Sequence, residues 1–227
     1  LSDTGSMYVM TSTQAMPFLD LWLRKRCTVQ SRIVWRYDSS GVQARRYFGS
    51  MYEPILFCVK NPKKYTFNAH DIEVEARTGA VRNLIDYRKP TPAPYKATKV
   101  PGNVWYFPRV RYRMDEYEEH PSQKPEALME RIIKASSNAG DLVLDPFAGT
   151  FTTCAVAKRL GRRSIGIEQE REFFKLGMSR SFMQTVLVAS GCKRLIDEGK
   201  TASIRQIYYL LKHTIPGDEL ISSAAEV

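Results

Sequence analysis

The chain has 227 residues, is 43% hydrophobic and 26% charged, and carries a formal net charge of +10. That suffices for one sizeable core with a small appendage, and no apolar run approaches the about 20 residues of a bilayer-spanning helix, so no membrane role is expected. Cys27, Cys58, Cys154 and Cys192 lie far apart with no CxxC pair, which argues against a disulfide framework or metal site and for a reducing cytoplasm.

Leu1-Ser-Asp-Thr-Gly5 is neither a signal peptide nor a usual translation start. The run 6–11 (SMYVMT) predicts a strand, and 16–25 a short helix. Strands are expected at 32–37, ended by the loop Asp38-Ser-Ser-Gly-Val-Gln43, and at 54–60, closed by Asn61-Pro62. From 68 to 113 periodicity fades, and prolines at 90, 92, 94, 101 and 108 mark an irregular segment; a connection this long inside a domain is usually functional or disordered. Regularity returns at Lys124. Pro125 suits a helix's first turn, Leu128, Ile132 and Ile133 form an apolar stripe, and Asn138-Ala-Gly140-Asp141 ends the helix. A buried strand at 142–145, a helix at 152–160 stopped by Gly161, and a strand at 164–168 complete a βαβ unit of a parallel sheet.

The positive charge is unevenly spread. Seven Lys/Arg stand against one acid between Arg24 and Arg46, and nine against Asp86 alone between Arg77 and Arg113. Such density suits a polyanion, because neutralised phosphates release counterions. Trp35, Tyr37, Tyr47, Phe48, Trp105, Tyr106, Phe107 and Tyr112 are interleaved with it, and rings of this kind stack on bases. A solvated basic surface is the plainer alternative.

The βαβ turn carries the most specific chemistry. In an open parallel sheet a ligand sits beyond the carboxyl ends of the strands. Asp145 closes the first strand and would accept from the methionine ammonium of S-adenosylmethionine (SAM). Ala148-Gly149-Thr150 form the turn, with Gly149 allowing close backbone approach. Thr152 and Thr153 open the helix, whose free N–H groups favour a carboxylate. Glu168 lies 19 residues after Gly149, the separation that brings a carboxylate to ribose hydroxyls. By itself the turn would also suit another nucleotide, or no ligand.

His120-Pro-Ser-Gln-Lys-Pro125 followed by Asp145-Pro-Phe-Ala-Gly149 resembles the β group of DNA amino-methyltransferases. The resemblance runs from about residue 5 to 180. It is nearest to the orphan adenine-specific enzymes, through Ser31-Arg-Ile-Val-Trp-Arg-Tyr-Asp-Ser-Ser-Gly41, Tyr47-Phe-Gly-Ser-Met-Tyr-Glu-Pro54 and Val104-Trp-Tyr-Phe-Pro-Arg109. It implies an α/β, Rossmann-like methyltransferase sheet with helices on both faces, and methyl transfer from SAM to adenine N6 in double-stranded DNA. Carried over by position, Lys124, Asp145, Phe147, Ala148, Gly149, Thr150, Thr152 and Glu168 would bind SAM, Lys124 closing the pocket near the methionine end. Segment 68–113 would be the target-recognition region, with Arg36, Arg45, Arg46, Arg88, Lys89, Arg109 and Arg111 on DNA. Phe151 departs from the general family, which has a second glycine there; a reshaped loop is expected.

One motif of that family is missing. An Asp-Pro-Pro-Tyr-type tetrapeptide grips the flipped base, and no Asp/Asn/Ser-Pro-Pro-aromatic run occurs here. After Pro146 the only proline is Pro216, so a permuted order does not supply it. Residues 6–11 resemble the strand that follows the motif, which implies a chain lacking an N-terminal part and a central strand. Such a chain would be inactive unless a second chain supplied the missing half.

The methyltransferase resemblance defines a domain at 1–180 and leaves a helical tail at 181–227. Within it, Glu198–His213 is similar to the winged-helix region of archaeal type IIB topoisomerase A subunits, with a capping box at Ser203-x-x-Gln206. By that resemblance Tyr209 would be the DNA-attacking residue, although tyrosines packed in a helical appendage are the plainer expectation. Two further readings stand beside an incomplete adenine methyltransferase: a non-catalytic DNA- or SAM-binding module, and a topoisomerase-like DNA-cleaving fragment.

Overall fold

The computed structural model describes residues 1–38, 45–77 and 84–177. The tail with Tyr209, and most of the loop after Asp38, lie outside them. Strand β1 (Ser6–Met10) leads to helix α1 (Met16–Leu23), then β2 (Thr28–Arg36) and β3 (Tyr52–Val59). Four two-residue strands follow, β4 (Val74–Glu75), β5 (Ile85–Asp86), β6 (Ala93–Pro94) and β7 (Thr98–Lys99), with β4 paired to β7 and β5 to β6. Then come β8 (Val104–Tyr106), α2 (Glu126–Ser136), β9 (Leu142–Asp145), α3 (Thr152–Arg159) and β10 (Arg163–Gly166). The molecule is of the α/β class.

The larger sheet has the order β1-β3-β2-β8, antiparallel except for β8, which runs parallel to β2. β3 is its centre and is buried on both faces. Ile55, Phe57 and Val59 join a core with Ile33, Trp35, Leu128, Met129, Ile132, Ile133 and Val156. Leu56 and Cys58 point the other way, to Met16 and Leu23 of α1. The alternation follows from the two-residue period of a strand, and it puts α1 on one face and α2 on the other. Pro54 sits in β3 beyond Ile55, the last residue paired to β1, so its missing N–H falls where β3 has only one neighbour.

β9 and β10 form a separate parallel pair, crossed over by α3. Among the described residues β1 pairs only with β3, and β9 only with β10. The expectation of a buried strand at 142–145 holds on one face alone. Val143 packs on the core, but Leu142 and Leu144 are more than half exposed. Ile165 and Ile167 stand exposed beside them, because α2 and α3 cover the opposite face.

Other differences are of extent. β2 begins at Thr28 rather than Arg32, carried through the polar Gln30 by a bulge between Val29 and Ser31. The described residues of 68–113 hold only short elements, the two-residue strands β4 to β7 and then β8, which the end of β2 recruits: Trp35 pairs with Trp105 and donates its indole N–H to the Phe107 carbonyl at 2.9 Å. Pro125 is the residue before the first helical turn of α2, its carbonyl accepting from Leu128 and Met129.

Asp20 ties α1 to β2 by accepting from Arg32 at 2.7 Å and Arg24 at 2.9 Å. Those two guanidinium groups, Arg32 first, hold its carboxyl at a pKa of about 2. A carboxyl depressed in the folded state stabilises above its unfolded range and loses that contribution as pH falls through the folded value. Both arginines are half exposed, so Asp20→Asn should cost under about 1 kcal/mol at pH 7. Urea titrations of both proteins should show the gap closing between about pH 4 and pH 2.

Candidate functional site

The parallel crossover places the turn 146–151 at the carboxyl end of β9, facing the end of β10. Asp145 Oδ1 accepts from the Phe147 N–H at 3.1 Å, and its Oδ2 accepts from the Thr153 hydroxyl at 2.6 Å. Gly149 donates its N–H to Glu168 Oε2 at 2.7 Å, and Glu170 donates to Oε1 at 2.9 Å. Ala148 N–H reaches the Ile167 carbonyl at 2.9 Å, so turn and strand end are laced together. The backbone N–H groups of Glu170, Gly149 and Gln169, with His120 nearby, hold the Glu168 carboxyl below the usual range, Glu170 contributing most. An ionised carboxylate offers about four acceptor positions. Asp145 and Glu168 each use part of that capacity, which leaves room for an ammonium at one and ribose hydroxyls at the other.

Gly149 has φ +52° and a Cβ there would lie 3.1 Å from His120 Nε2. The expected close approach is therefore made by a side chain of the protein itself. His120 Nδ1 accepts from Ser122 N–H at 3.1 Å, which puts the ring proton on Nε2, toward Gly149. Burial pushes the His120 pKa down, favouring the neutral ring. The imidazole also meets Phe173 edge-on at 4.3 Å between centroids.

The residues expected to bind cofactor do not all converge. Ala148, Gly149 and Thr150 lie in the turn, Asp145 ends the strand before it, and Glu168 reaches it from beyond β10. Phe147 projects outward, 88% exposed. Thr152 is buried, its hydroxyl 3.0 Å from that of Thr150; Thr153, rather than Thr152, touches Asp145. Lys124 makes an ion pair with Glu53 of β3 at 3.1 Å and lies 5.7 Å from the Trp35 ring centre. It also donates to the Ser122 carbonyl at 3.2 Å, and its charge reaches His120, but its ion pair is with the larger sheet. Gln123 accepts from Glu118 N–H at 2.8 Å, so each part of the 120–125 motif has a separate anchor. Sequence reasoning gave no role to His120 or Glu53, although both stand in runs already singled out, 120–125 and 47–54.

Phe151 occupies the left-handed region, φ +57° and ψ +24°, at the start of α3. That conformation costs a non-glycine residue about 1–2 kcal/mol, and it accounts for a glycine at this place in the general family. Here the ring is 93% buried (7% exposed), a burial that contributes about 1.5–3 kcal/mol. The two roughly offset, and the larger residue is tolerated.

On the basic surface, Arg36, Arg109 and Arg111 gather at the ends of β2 and β8. Arg36 lies 4.8 Å over the Tyr106 ring, Arg109 5.1 Å over Tyr37, and Arg111 donates to the Asp38 carbonyl. Arg88 is instead bound to Asp86 at 2.8 Å beside exposed Lys89, in the β5–β6 ladder. Arg45 and Arg46 are exposed in the bend before β3.

The DNA methylase family model for N6 and N4 methyltransferases matches residues 1–179, and the chain belongs to that family. It is 66% identical over 180 residues to the DNA adenine methyltransferase YhdJ of Escherichia coli (strain K12), covering 79% of this chain and 61% of that one. It is 35% identical over 182 residues to the type II methyltransferase M.HpaI of Haemophilus parainfluenzae, 79% of this chain and 54% of that one. The chain thus spans less than two thirds of these relatives' length. Among solved structures, the M1.HpyAVI–SAM complex superposes with a TM-score of 0.55 at 28% identity, covering 79% of this chain and 76% of that one. The cytosine-N4-specific PvuII DNA methyltransferase shares the fold, with a TM-score of 0.57 at 15% identity over 95% of this chain and 72% of that one.

Gly149→Ala should destabilise the protein by about 1–2 kcal/mol through its positive φ alone, with the His120 clash added. Thermal unfolding should show Tm several degrees lower. Adding His120→Ala should recover only the clash, leaving the backbone strain.

Proposed function

We propose that this chain is the cofactor- and DNA-binding portion of a SAM-dependent methyltransferase acting on adenine N6 in duplex DNA. The observation that carries the reading is the carboxylate pair around the Gly149 turn, Asp145 on β9 and Glu168 after β10, each with acceptor capacity to spare. The identity to YhdJ supports adenine as the base. Bound SAM would supply an electrophilic methyl group on a sulfonium.

Asp145 would accept from the methionine ammonium, and the first N–H groups of α3 would face its carboxylate. Glu168 would hold the ribose diol. Arg36, Arg109 and Arg111 would contact phosphates, their partner rings and carbonyl fixing orientation; Arg45, Arg46, Arg88 and Lys89 would add to the same field. Phosphate contacts position without specifying sequence. The target adenine must leave the stack to reach the methyl group, and its amine needs an acceptor that draws off proton density.

No tetrapeptide of that kind is present in these 227 residues. Since β1 and β9 each have one unpaired edge among the described residues, the proposal includes a strand supplied between them, from a second chain or another segment, carrying that acceptor. A non-catalytic SAM- and DNA-binding module is the second reading, favoured by the same missing tetrapeptide.

Transfer of labelled methyl from SAM to adenine-containing duplex DNA tests this, with Asp145→Ala as control. The chain alone should bind SAM and transfer nothing. Co-expression with a segment bearing an Asp-Pro-Pro-Tyr strand should restore transfer, lost again in the control. Transfer by the chain alone would overturn the need for a supplied strand. Binding without transfer even after co-expression would favour the non-catalytic module.

A further inference from the structure

Phe151 stands at the joint between the turn and α3. Its N–H donates to the Ala148 carbonyl at 2.7 Å, and its carbonyl accepts from Ala155 N–H at 2.9 Å. From this joint its ring leaves the turn and enters the space between β10 and the helical residues 171–177. A Cβ added to Gly166 would come within 2.7 Å of Phe151 Cε1, and one added to Gly177 would overlap the ring. Phe174 closes the space edge-on, its ring centre 5.8 Å away.

These contacts bracket Glu168. Gly166 lies two residues before it and Gly177 nine after it, so a single ring touches the chain on both sides of the acid. The hydrogen bonds to Glu168 come from backbone N–H groups, of Gly149 at 2.7 Å and Glu170 at 2.9 Å. Its carboxylate is therefore placed by where the backbone of 166–177 rests against the turn. A glycine at position 151 would remove the strain, yet it would leave nothing to fill the gap that Gly166 and Gly177 create.

We infer that Phe151 is a positioning residue for cofactor binding: its ring, wedged between Gly166 and Gly177, sets the distance from the Glu168 carboxylate to the Gly149 turn. The inference rests on the reading of this turn as the SAM site. In this chain the large residue at 151 and the two glycines form one unit, and the aromatic ring takes over the alignment.

The test is a double-mutant cycle on SAM affinity, measured by isothermal titration with the full chain. Phe151→Gly and Glu168→Gln should each weaken binding about tenfold, and the double variant should also be about tenfold weaker, because both remove one shared interaction. A double variant about a hundredfold weaker, or Phe151→Gly binding like wild type, would overturn the inference. Circular dichroism of each variant checks folding. Should Phe151→Gly unfold, Phe151→Leu, which keeps the bulk in part, serves the same cycle and is expected to give an intermediate loss coupled to Glu168→Gln. A wild-type chain that fails to bind SAM would sink the cofactor reading itself, a result distinct from either.

Discussion

Among the described residues the β1-β3-β2-β8 sheet and the β9–β10 pair share no backbone ladder, so their mutual placement falls to α2. Its Leu128, Met129, Ile132 and Ile133 are buried against Ile33, Trp35, Ile55, Phe57 and Val59 on one side and Val156 and Ala157 on the other. Each such side chain contributes about 1.5–3 kcal/mol, far more than the polar ties around it. Those ties set orientation: Tyr8 meets Ser136 at 2.7 Å, Lys124 meets Glu53, and Arg159 reaches Glu126 and Glu130. Both ends of α2 are also held. Glu116 accepts from the Glu126 N–H at 2.7 Å, and Asn68 donates to the Lys134 and Ser137 carbonyls, satisfying groups that a helix leaves unpaired.

The turn after β9 depends on that arrangement. The 120–125 motif leads directly into α2, so fixing the helix also fixes where His120 lands, over Gly149 and beside Glu168. The loop turns through positive φ at Gly149, which glycine adopts without strain, and at Phe151, where the strain of a non-glycine residue is recovered in buried contacts. Strained backbone of this kind persists only where surrounding packing over-determines it. Here the packing comes from His120 on one side of the turn and from Phe151 with its two glycines on the other.

The basic surface is organised differently. Arg36 and Arg109 rest on tyrosine rings, an arrangement worth about 0.5–1 kcal/mol at exposed sites. The rings fix the planes of the guanidinium groups while their charge still faces outward. That the three arginines at 36, 109 and 111 share one end of the sheet follows from the parallel pairing of β2 with β8, which joins segments about seventy residues apart.

What the sequence determined by itself is local. Short apolar runs bounded by turn residues marked β1, β2 and β3, the stripe Leu128, Ile132, Ile133 marked α2, and the spacing of Asp145, Gly149 and Glu168 marked the crossover turn. These are short-range signals, because side-chain direction repeats every two residues in a strand and every 3.6 in a helix. The tertiary structure alone decided the sheet order, the recruitment of β8, the exposure of Leu142 and Leu144, the partnership of Lys124 with Glu53, and the seats of His120 and Phe151. Each of these joins residues that are distant or unpatterned in the chain, and packing between whole elements selects them. A residue's own neighbours in sequence carry no record of which surface it will meet.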